Sequence, residues 1–232
     1  TDKTEHIFAL QHSLSYLPSQ YGISYLGKEE NGWYDYVGDP VFFKNFPNDK
    51  RKEFCYITST VDTKGNRIDW EDFDIGAPFI RKYRNYGGCG TYGIDGNTST
   101  RSSLSEGLTP IYRFADVLLI YAEASNKAEG SPNTLAYKCL NRVRDRAFGD
   151  QSHQYAGLTP EKFADAVFDE FGWENVFEFK RWFQLVRTEK VDEAIGKNAA
   201  IGARLNANKE NYLFPIPVRQ CELRGWKNNP GY

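Results

Sequence analysis

The chain of 232 residues is long enough to bury a large hydrophobic core, and its formal net charge of −2 offers no positively charged surface for nucleic acid. No apolar run approaches the roughly 20 residues that a membrane-spanning helix needs, so a helix of that kind is not expected in this sequence. Aromatic residues make up 16% of the chain, including 15 tyrosines, and this composition favours a surface that stacks on flat polar ligands in addition to an aromatic core.

The first part of the chain, residues 1–108, has no sustained helical period and is predicted to form an irregular, aromatic-rich lobe with little β-structure. Residues 5–10 have the pattern of a short strand or the start of a helix. Residues 54–58 and 79–83 are rich in aromatic and β-branched residues and are predicted as strands, with a hairpin turn near residues 65–66.

Ligand-binding residues are expected in this lobe, because a long irregular segment inside a compact protein is usually functional or mobile. Two aromatic clusters lie beside amides and charged residues. That composition is typical of a sugar-binding surface, where rings stack on the C–H faces of the sugar and polar groups bind its hydroxyls. The predicted ligand-binding residues are Trp33, Tyr34 and Tyr36 in the first cluster and Tyr83, Tyr86, Tyr92 and Asn97 in the second. Each of these rings could serve in packing instead.

An acidic cluster in the same lobe offers carboxylates for a glycoside hydrolase or a calcium site: Asp69, Glu71, Asp72 and Asp74. Its spacing lacks the features of a calcium loop, so a solvated acidic turn beside an anchoring Trp70 is the favoured interpretation. Two glycine-rich segments, 22–28 and 88–93, match phosphate-binding loop motifs. Neither is followed by the predicted helix whose N-terminus would bind the phosphate. With four scattered cysteines and no nucleophile motif, the sequence gives no positive case for an enzyme, a metal or a cofactor.

A helical scaffold is predicted over residues 109–205. Thr109 is predicted to cap the first helix, with Pro110 at its first position. This helix is apolar around most of its circumference, which is typical of a helix packed on several sides. A second helix is expected to start at Ser131-Pro132, and together the two helices form a hairpin of the tetratricopeptide kind. The apolar face of the second helix consists of Ala136, Leu140, Val143 and Ala147.

Further along, Thr159 followed by Pro160 is predicted to cap a third helix. Residues 174–187 are predicted to continue as helix, residues 191–205 form a weaker helical pattern, and the proline-rich end of the chain is predicted to be extended. Four aromatic residues fall in apolar helical periods and are assigned to the core: Tyr112, Tyr121, Trp182 and Phe183.

Several of these segments together resemble the SusD/RagB family of surface glycan-binding lipoproteins. Residues 112–124 and 136–147 resemble the helical hairpin of that family, and residues 178–187 resemble its F-E-G-x-R-W-F-D-L segment. Residues 212–217 and 229–232 resemble its C-terminal signature. In the third segment, Lys180 is taken to replace the glycine and Gln184 the aspartate.

The resemblance implies a mainly α, SusD-like fold in which tetratricopeptide-type helical hairpins support an irregular, loop-rich lobe with little β-structure. Residues 1–232 would then be the C-terminal part of a single SusD-like domain. Its regions would be the lobe at 1–108, the helical scaffold at 109–205 and an extended tail at 206–232.

The resemblance also implies a non-catalytic nutrient-binding lipoprotein on the outer membrane. It would capture an oligosaccharide or polysaccharide and deliver it to a SusC-like TonB-dependent transporter. An N-terminal lipid anchor would then precede this chain, together with roughly the first half of the domain. No cofactor is expected. The alternative is a helical-repeat scaffold that binds only protein and has no glycan site of its own.

Overall fold

The computed structural model of the protein describes residues 5–13, 15–16, 24–25, 27–28, 32–61, 64–83, 108–196 and 209–232. Contacts between residues group the chain into two compact units, 1–179 and 180–232. The first unit carries the aromatic lobe and the main helices.

The described elements are mostly helical. The α-helices are α1 (Pro40–Asn45), α2 (Lys50–Cys55), α3 (Phe114–Glu129), α4 (Thr134–Phe148), α5 (Pro160–Glu174), α6 (Arg181–Arg187), α7 (Val191–Gly196) and α8 (Val218–Arg224). The strands are β1 (His6–Leu10), β2 (Tyr56–Ile57), β3 (Ser59–Val61), β4 (Arg67–Asp69), β5 (Phe79–Ile80) and β6 (Thr109–Arg113). The strands form antiparallel pairs: β1 with β6, β2 with β5, and β3 with β4.

Helices α3, α4 and α5 pack on one another around an aliphatic core. The apolar face predicted for the second helix is buried, which confirms that prediction. Small alanine side chains allow the helices to approach closely. The buried members of this core are Ala115, Leu119, Ala122, Ala136, Cys139, Leu140, Val143, Phe163, Ala166 and Val167.

The starts of these helices were only partly predicted. Thr159 caps α5 as expected, and its hydroxyl accepts the backbone N–H of Lys162 at 3.3 Å. The cap of α4 is Asn133 rather than Ser131, and its side-chain oxygen accepts the N–H of Ala136 at 2.8 Å.

The largest difference lies at the start of α3, where Thr109 and Pro110 belong to strand β6 and not to a helix. The residue before a proline favours extended backbone, and Ile111 has a β-branched side chain that suits a strand. Pairing with β1, which is far away in the sequence, then decides the conformation. The helix starts after Arg113, whose backbone N–H donates to the Asp116 carboxylate at 2.8 Å.

The lobe has its own core, built largely of aromatic rings that meet edge to face. The Phe43 ring lies 4.8 Å from that of Tyr56 and 5.5 Å from that of Trp70, measured between centroids. The buried residues of this core are Phe43, Phe46, Cys55, Tyr56, Ile57, Trp70, Phe73, Phe79 and Val176.

The predicted strands of the lobe are confirmed in part: Tyr56–Ile57 pairs with Phe79–Ile80, but Phe54 and Cys55 belong to helix α2 and residues 81–83 follow the strand. The turn at 65–66 lies between β3 and β4, an antiparallel pair that falls between β2 and β5 in the sequence. The two short helices of the lobe, α1 and α2, are not among the elements predicted from the sequence. Each begins at an aspartate: the Asp39 carboxylate accepts the N–H of Phe42, and that of Asp49 accepts the N–H of Arg51, both at 2.8 Å.

The predicted helix over residues 174–187 is interrupted. Helix α5 ends at Glu174, a turn follows, and α6 begins at Arg181. Within the turn, Phe177 and Phe179 have left-handed backbone, with φ values of 63° and 60°. Tertiary contacts of the Glu178 side chain, described below, hold this turn and override the helical preference of the segment.

In the second unit, the Trp182 and Phe214 rings lie 6.1 Å apart. The end of the chain contains helix α8, although the sequence predicted an extended tail. The assignment of Phe183 to the core is wrong, because its side chain is exposed.

The core assignments of Tyr112 and Tyr121 are wrong as well. Tyr112 lies on the outward face of strand β6, and Tyr121 lies on the side of α3 opposite its buried face. Val117 and Ile120 of the same helix are also exposed, so α3 is apolar on two sides and covered on one. Among the helices of the described residues, none combines the length and apolar content that crossing a bilayer requires.

Candidate functional site

Three neighbouring aromatic side chains of the lobe are open to solvent. Trp33, Tyr34 and Tyr36 expose 48%, 38% and 53% of their surface. We call these three residues the aromatic patch. Large exposed aromatic groups gain free energy when a ligand covers them, so a cluster of them is a candidate binding surface.

The segment that carries the aromatic patch is fixed to the lobe at Gly38. The Gly38 backbone N–H donates to the Pro78 carbonyl at 2.7 Å. A Cβ at this position would lie 2.8 Å from the Tyr56 ring and 2.9 Å from the Pro78 carbonyl oxygen, so only glycine fits. Tyr36 also donates its backbone N–H to the Ser24 carbonyl at 3.4 Å. The rings are therefore presented from an anchored backbone.

Tyr36 contacts two further rings. Its centroid lies 5.6 Å from that of Tyr25, which is buried, and 6.4 Å from that of Phe179, which is half exposed. Both contacts are edge to face, the favoured arrangement of aromatic pairs. Phe179 is not among the predicted ligand-binding residues, because residues 174–187 are predicted to form a continuous helix.

Tyr83 takes a different position from the one predicted. It is only 8% exposed and packs with Tyr25 and Ile80 in a small buried cluster, with ring centroids of Tyr83 and Tyr25 5.5 Å apart. A buried ring offers no face to a ligand, so its placement corresponds to the packing alternative. Tyr86, Tyr92 and Asn97 lie outside the residues that the structure describes, and their assignment stays a prediction.

A buried network of ion pairs joins the lobe to the helices within the first unit. Its carboxylates include Glu170, Glu174 and Glu178, which are spaced four residues apart along α5 and the turn after it. Arg51 of helix α2 binds Glu170 at 2.6 Å and Glu174 at 3.1 Å. Arg113, at the junction of β6 and α3, binds Glu174 and Glu178, both at 2.9 Å.

Further charged residues pair with the three glutamates and with Arg51 and Arg113. Lys82 of the lobe binds Glu178 at 2.5 Å, and Arg144 of α4 binds Glu170 at 2.8 Å. Asp49 binds Arg51 at 2.6 Å, Glu5 binds Arg113 at 2.6 Å, and Arg146 binds Glu174 at 2.5 Å. Because each buried charge has an opposite charge beside it, the network holds the lobe, the helices and the 175–179 turn in one arrangement.

The network shifts the pKa values of its members. Burial alone would raise the pKa of Glu174, but Arg146, Arg113 and Arg51 outweigh it and lower the pKa to about 2. The pKa of Glu178 is also lowered, since Lys82 and Arg113 outweigh its burial.

Burial and pairing also act in opposite directions on the pKa values of Arg113 and Glu170. Burial would lower the pKa of Arg113, but Glu178 and Glu174 raise it above its ordinary value. Burial raises the pKa of Glu170 against the opposing effect of Arg51 and Arg144. With guanidinium nitrogens at 2.6 and 2.8 Å, its carboxylate is ionised at neutral pH.

The acidic cluster is a solvated turn. Asp69 pairs with Arg67 at 3.1 Å and Asp74 with Lys28 at 3.1 Å, and all four side chains of these pairs are exposed. Trp70 is buried beneath them, as expected for an anchor. No group of three or more histidine, cysteine, aspartate or glutamate side chains in the described ranges is arranged to hold a metal ion. Burial raises the pKa of the Cys55 and Cys139 thiols, which keeps both protonated at neutral pH.

A model of the SusD family matches residues 25–232, which is most of this chain. The chain belongs to the SusD family. This finding confirms the resemblance drawn from residues 112–124, 136–147 and 178–187.

SusD-like relatives with similar sequences occur in Formosa agariphila. SusD-like protein P2 is 33% identical over 219 residues, and SusD-like protein P25 is 31% identical over 199 residues. These alignments cover 87% and 85% of this chain but only 41% and 34% of the relatives. The chain therefore spans less than half the length of the SusD-like proteins that it matches.

Solved SusD structures share the fold. A SusD superfamily protein from Parabacteroides distasonis superposes with a TM-score of 0.73 at 24% identity, covering 98% of this chain and 50% of that one. Surface glycan-binding protein A from Bacteroides thetaiotaomicron, solved with laminarihexaose, gives a TM-score of 0.62 at 19% identity, covering 97% and 52%. The likeness confirms the mainly α, SusD-like fold class.

Within the SusD family motif, the structure corrects one position. Lys180 is the predicted replacement of the motif's glycine, yet its backbone is right-handed, with φ of −94°. Phe179 has the left-handed conformation that favours glycine, and it directly follows Glu178, the glutamate of the motif. The residue that replaces the glycine is therefore Phe179.

Proposed function

We propose that the protein captures an oligosaccharide or polysaccharide at the cell surface without cleaving it. The aromatic patch is the observation that carries this proposal. Three exposed rings on an anchored segment offer faces on which the C–H faces of sugar rings can stack, and tyrosine hydroxyls can bind sugar hydroxyls.

The family supports the same function. SusD-like relatives are 33% and 31% identical to this chain, and one protein of the same fold was solved with laminarihexaose. Trp33, Tyr34 and Tyr36 are the proposed contact residues in the described part of the chain. Tyr86, Tyr92 and Asn97 are proposed as further contacts on the basis of the sequence alone.

Binding without cleavage is proposed because the described acidic side chains do not resemble a hydrolase pair. A glycosidase needs one carboxyl group with a raised pKa near a second that stays ionised. Among the described acids, the one whose pKa is raised, Glu170, lies in the buried ion-pair network, and the exposed acids Asp69 and Asp74 pair with surface cations. A reducing-sugar assay on every glycan that the protein binds tests this point, and release of new reducing ends would contradict it.

Retardation in affinity gels containing single polysaccharides tests glycan capture. We expect retardation by at least one polysaccharide, and we expect Trp33→Ala to reduce it while the protein stays folded. Glu71→Ala, an exposed change in the acidic turn, is the matched control and should migrate like the wild type in every gel. Equal migration of wild type and Trp33→Ala in the retarding gel would show that Trp33 of the aromatic patch does not bind the polysaccharide.

We propose further that the captured glycan is delivered to a SusC-like TonB-dependent transporter, and that the intact protein is a surface-exposed lipoprotein of the outer membrane. Membership of the SusD family supports both statements. Affinity purification of the native, full-length protein from outer membranes should recover a TonB-dependent transporter. Palmitate labelling of the full-length protein should detect the N-terminal anchor, and absence of label would reject it.

A second candidate function is a helical scaffold that binds only protein. The exposed apolar residues Val117 and Ile120 on the uncovered side of α3 favour it, since such faces mark protein contacts. The affinity gels separate the two functions. Uniform migration in all polysaccharides, together with tight binding to the transporter, would favour the scaffold.

A further inference from the structure

We propose that Phe179 is an additional ligand-contacting residue, and that the turn at residues 175–179 holds its ring beside Tyr36 at the sugar-binding surface. This inference rests on the proposed function and adds to it a residue from a distant part of the chain. The Phe179 ring is 48% exposed, and its plane is nearly perpendicular to that of Tyr36, at 84°.

The backbone of the turn is unusual for the residues that it carries. Phe177 and Phe179 have φ values of 63° and 60°, in the left-handed region. Bulky side chains rarely occupy this region, because Cβ crowds the neighbouring carbonyl oxygen. A strained conformation persists only where the surroundings determine it.

The neighbours of Phe179 show what imposes the conformation. The Glu178 backbone N–H donates to the Asn175 carbonyl at 3.0 Å. The Glu178 carboxylate is buried between Lys82 and Arg113, with its Oε2 accepting from Arg113 Nε at 3.0 Å. The Phe177 ring packs 4.9 Å from Tyr56 in the lobe core. Because both preceding side chains point inward, the turn directs the Phe179 ring outward.

The folded state gains less from Phe179 than from a core phenylalanine, since half of its surface stays in water. Glycine would adopt the same backbone without strain. A phenylalanine at this position therefore carries backbone strain while about half of its surface stays in water, and contact with a ligand would account for its presence.

Strained positions concentrate around this surface. In the described part of the chain, the non-glycine residues with positive φ are Tyr34, Phe177, Phe179 and Glu189. Tyr34 belongs to the aromatic patch, and Phe177 packs against the buried tyrosine cluster on which Tyr36 rests. Glu189 lies in the second unit. Unusual backbone conformations of this kind cluster at binding sites.

The geometry also indicates the class of ligand part that fits. Two rings at nearly 90°, with centroids 6.4 Å apart, form a corner rather than a flat platform. A pyranose ring with equatorial substituents has an apolar C–H face that can lie on one ring while the edge of the sugar meets the other. We therefore assign Phe179 and Tyr36 to one pyranose unit of the bound chain.

The test compares glycine variants at two strained positions. Laminarihexaose, cellohexaose, maltohexaose and xylohexaose are titrated by calorimetry into the wild type, and the tightest binder is used with each variant. Phe179→Gly should bind it about two- to tenfold more weakly, while its melting temperature should equal or exceed that of the wild type. Phe179→Tyr keeps the ring and should bind like the wild type.

Glu189→Gly is the matched control, because it relieves the same kind of strain in the second unit, with φ of 55° at Glu189. It should leave glycan affinity unchanged. Phe179→Asn, whose side chain tolerates left-handed backbone, removes the ring independently and should weaken binding as Phe179→Gly does.

The outcomes separate this inference from the proposed function. If Tyr36→Ala weakens binding while Phe179→Gly and Phe179→Asn bind normally, Phe179 is not a ligand contact and the proposed function stands. If the wild type binds no glycan in these titrations or in the affinity gels, the proposed function fails and the assignment of Phe179 fails with it.

Discussion

The two cores of the first unit are built from different residues. Among the described residues, the core of the helical bundle consists mainly of alanine, leucine and valine at helical spacing, with Cys139 and one fully buried aromatic residue, Phe163. The core of the lobe consists mainly of phenylalanine, tyrosine and tryptophan on short, irregular elements. Periodicity therefore identifies the buried face of α4, but on α3, which is apolar on two sides, it does not separate buried from exposed residues. In the lobe, aromatic residues supply both the core and the exposed patch, and only the structure separates Tyr83 from Tyr36.

The largest loss of stability is expected when the ion pairs that connect the two regions are removed. Arg113→Met leaves Glu174 and Glu178 buried with fewer opposite charges, so we expect a loss of about 3–5 kcal/mol in the free energy of unfolding. Chemical denaturation measures it. Arg142→Met is the control, since Arg142 is exposed and lies 4.9 Å over the Phe114 ring; it should cost below about 1 kcal/mol. Equal effects of the two variants would show that the network does not join the regions.

The bundle core can be tested at two adjacent leucines. Leu119 is fully buried, so Leu119→Ala should leave a cavity and lower the free energy of unfolding by about 2–5 kcal/mol. Leu118 is only partly buried and should lose clearly less on the same change. Denaturation curves of the two variants measure the difference. A larger loss for Leu118→Ala would mean that the buried face of α3 is misplaced.

Much of the bundle was predictable, because its helices bury a regular face: Ala136, Leu140, Val143 and Ala147 follow from spacing alone. The misassigned segments have partners that are distant in sequence. Residues 109–113 pair with β1, more than 90 residues away by number, and Glu178 binds Lys82 and Arg113. Local patterns contain no information about such partners. The four-residue spacing of Glu170, Glu174 and Glu178 is a signal that could have indicated a shared charged face.

Acid should weaken the connection between the regions. The pKa of Glu174 falls from 4.5 to about 2 on folding, so its contribution is complete above about pH 4.5 and is lost as the pH falls toward 2. The shift corresponds to about 3 kcal/mol. Glu178 acts in the same direction, whereas Glu170, with its raised pKa, offsets part of the effect.

Urea denaturation at intervals from pH 7 to pH 2 measures this dependence. Glu174→Gln lacks the titrating group, so its stability should fall less steeply than that of the wild type between pH 4.5 and pH 2. Parallel pH profiles for the two proteins would show that Glu174 does not contribute.

The smallest expected change in stability is also the most informative about function. Tyr36→Ala removes a half-exposed ring and should change the free energy of unfolding by less than about 1 kcal/mol. Tyr83→Ala removes a buried ring and should cost about 3–5 kcal/mol. The two tyrosines thus form a matched pair, one at the surface and one in the core of the same lobe.

The most direct test titrates the tightest-binding hexasaccharide into these two variants by calorimetry, at a temperature where both are folded. It asks whether exposed aromatic residues of the lobe bind glycan while buried ones support the fold. We expect Tyr36→Ala to lose roughly 1–3 kcal/mol of binding free energy and Tyr83→Ala to bind like the wild type. Wild-type affinity for Tyr36→Ala, with weakened binding by folded Tyr83→Ala, would contradict the assignment of the site.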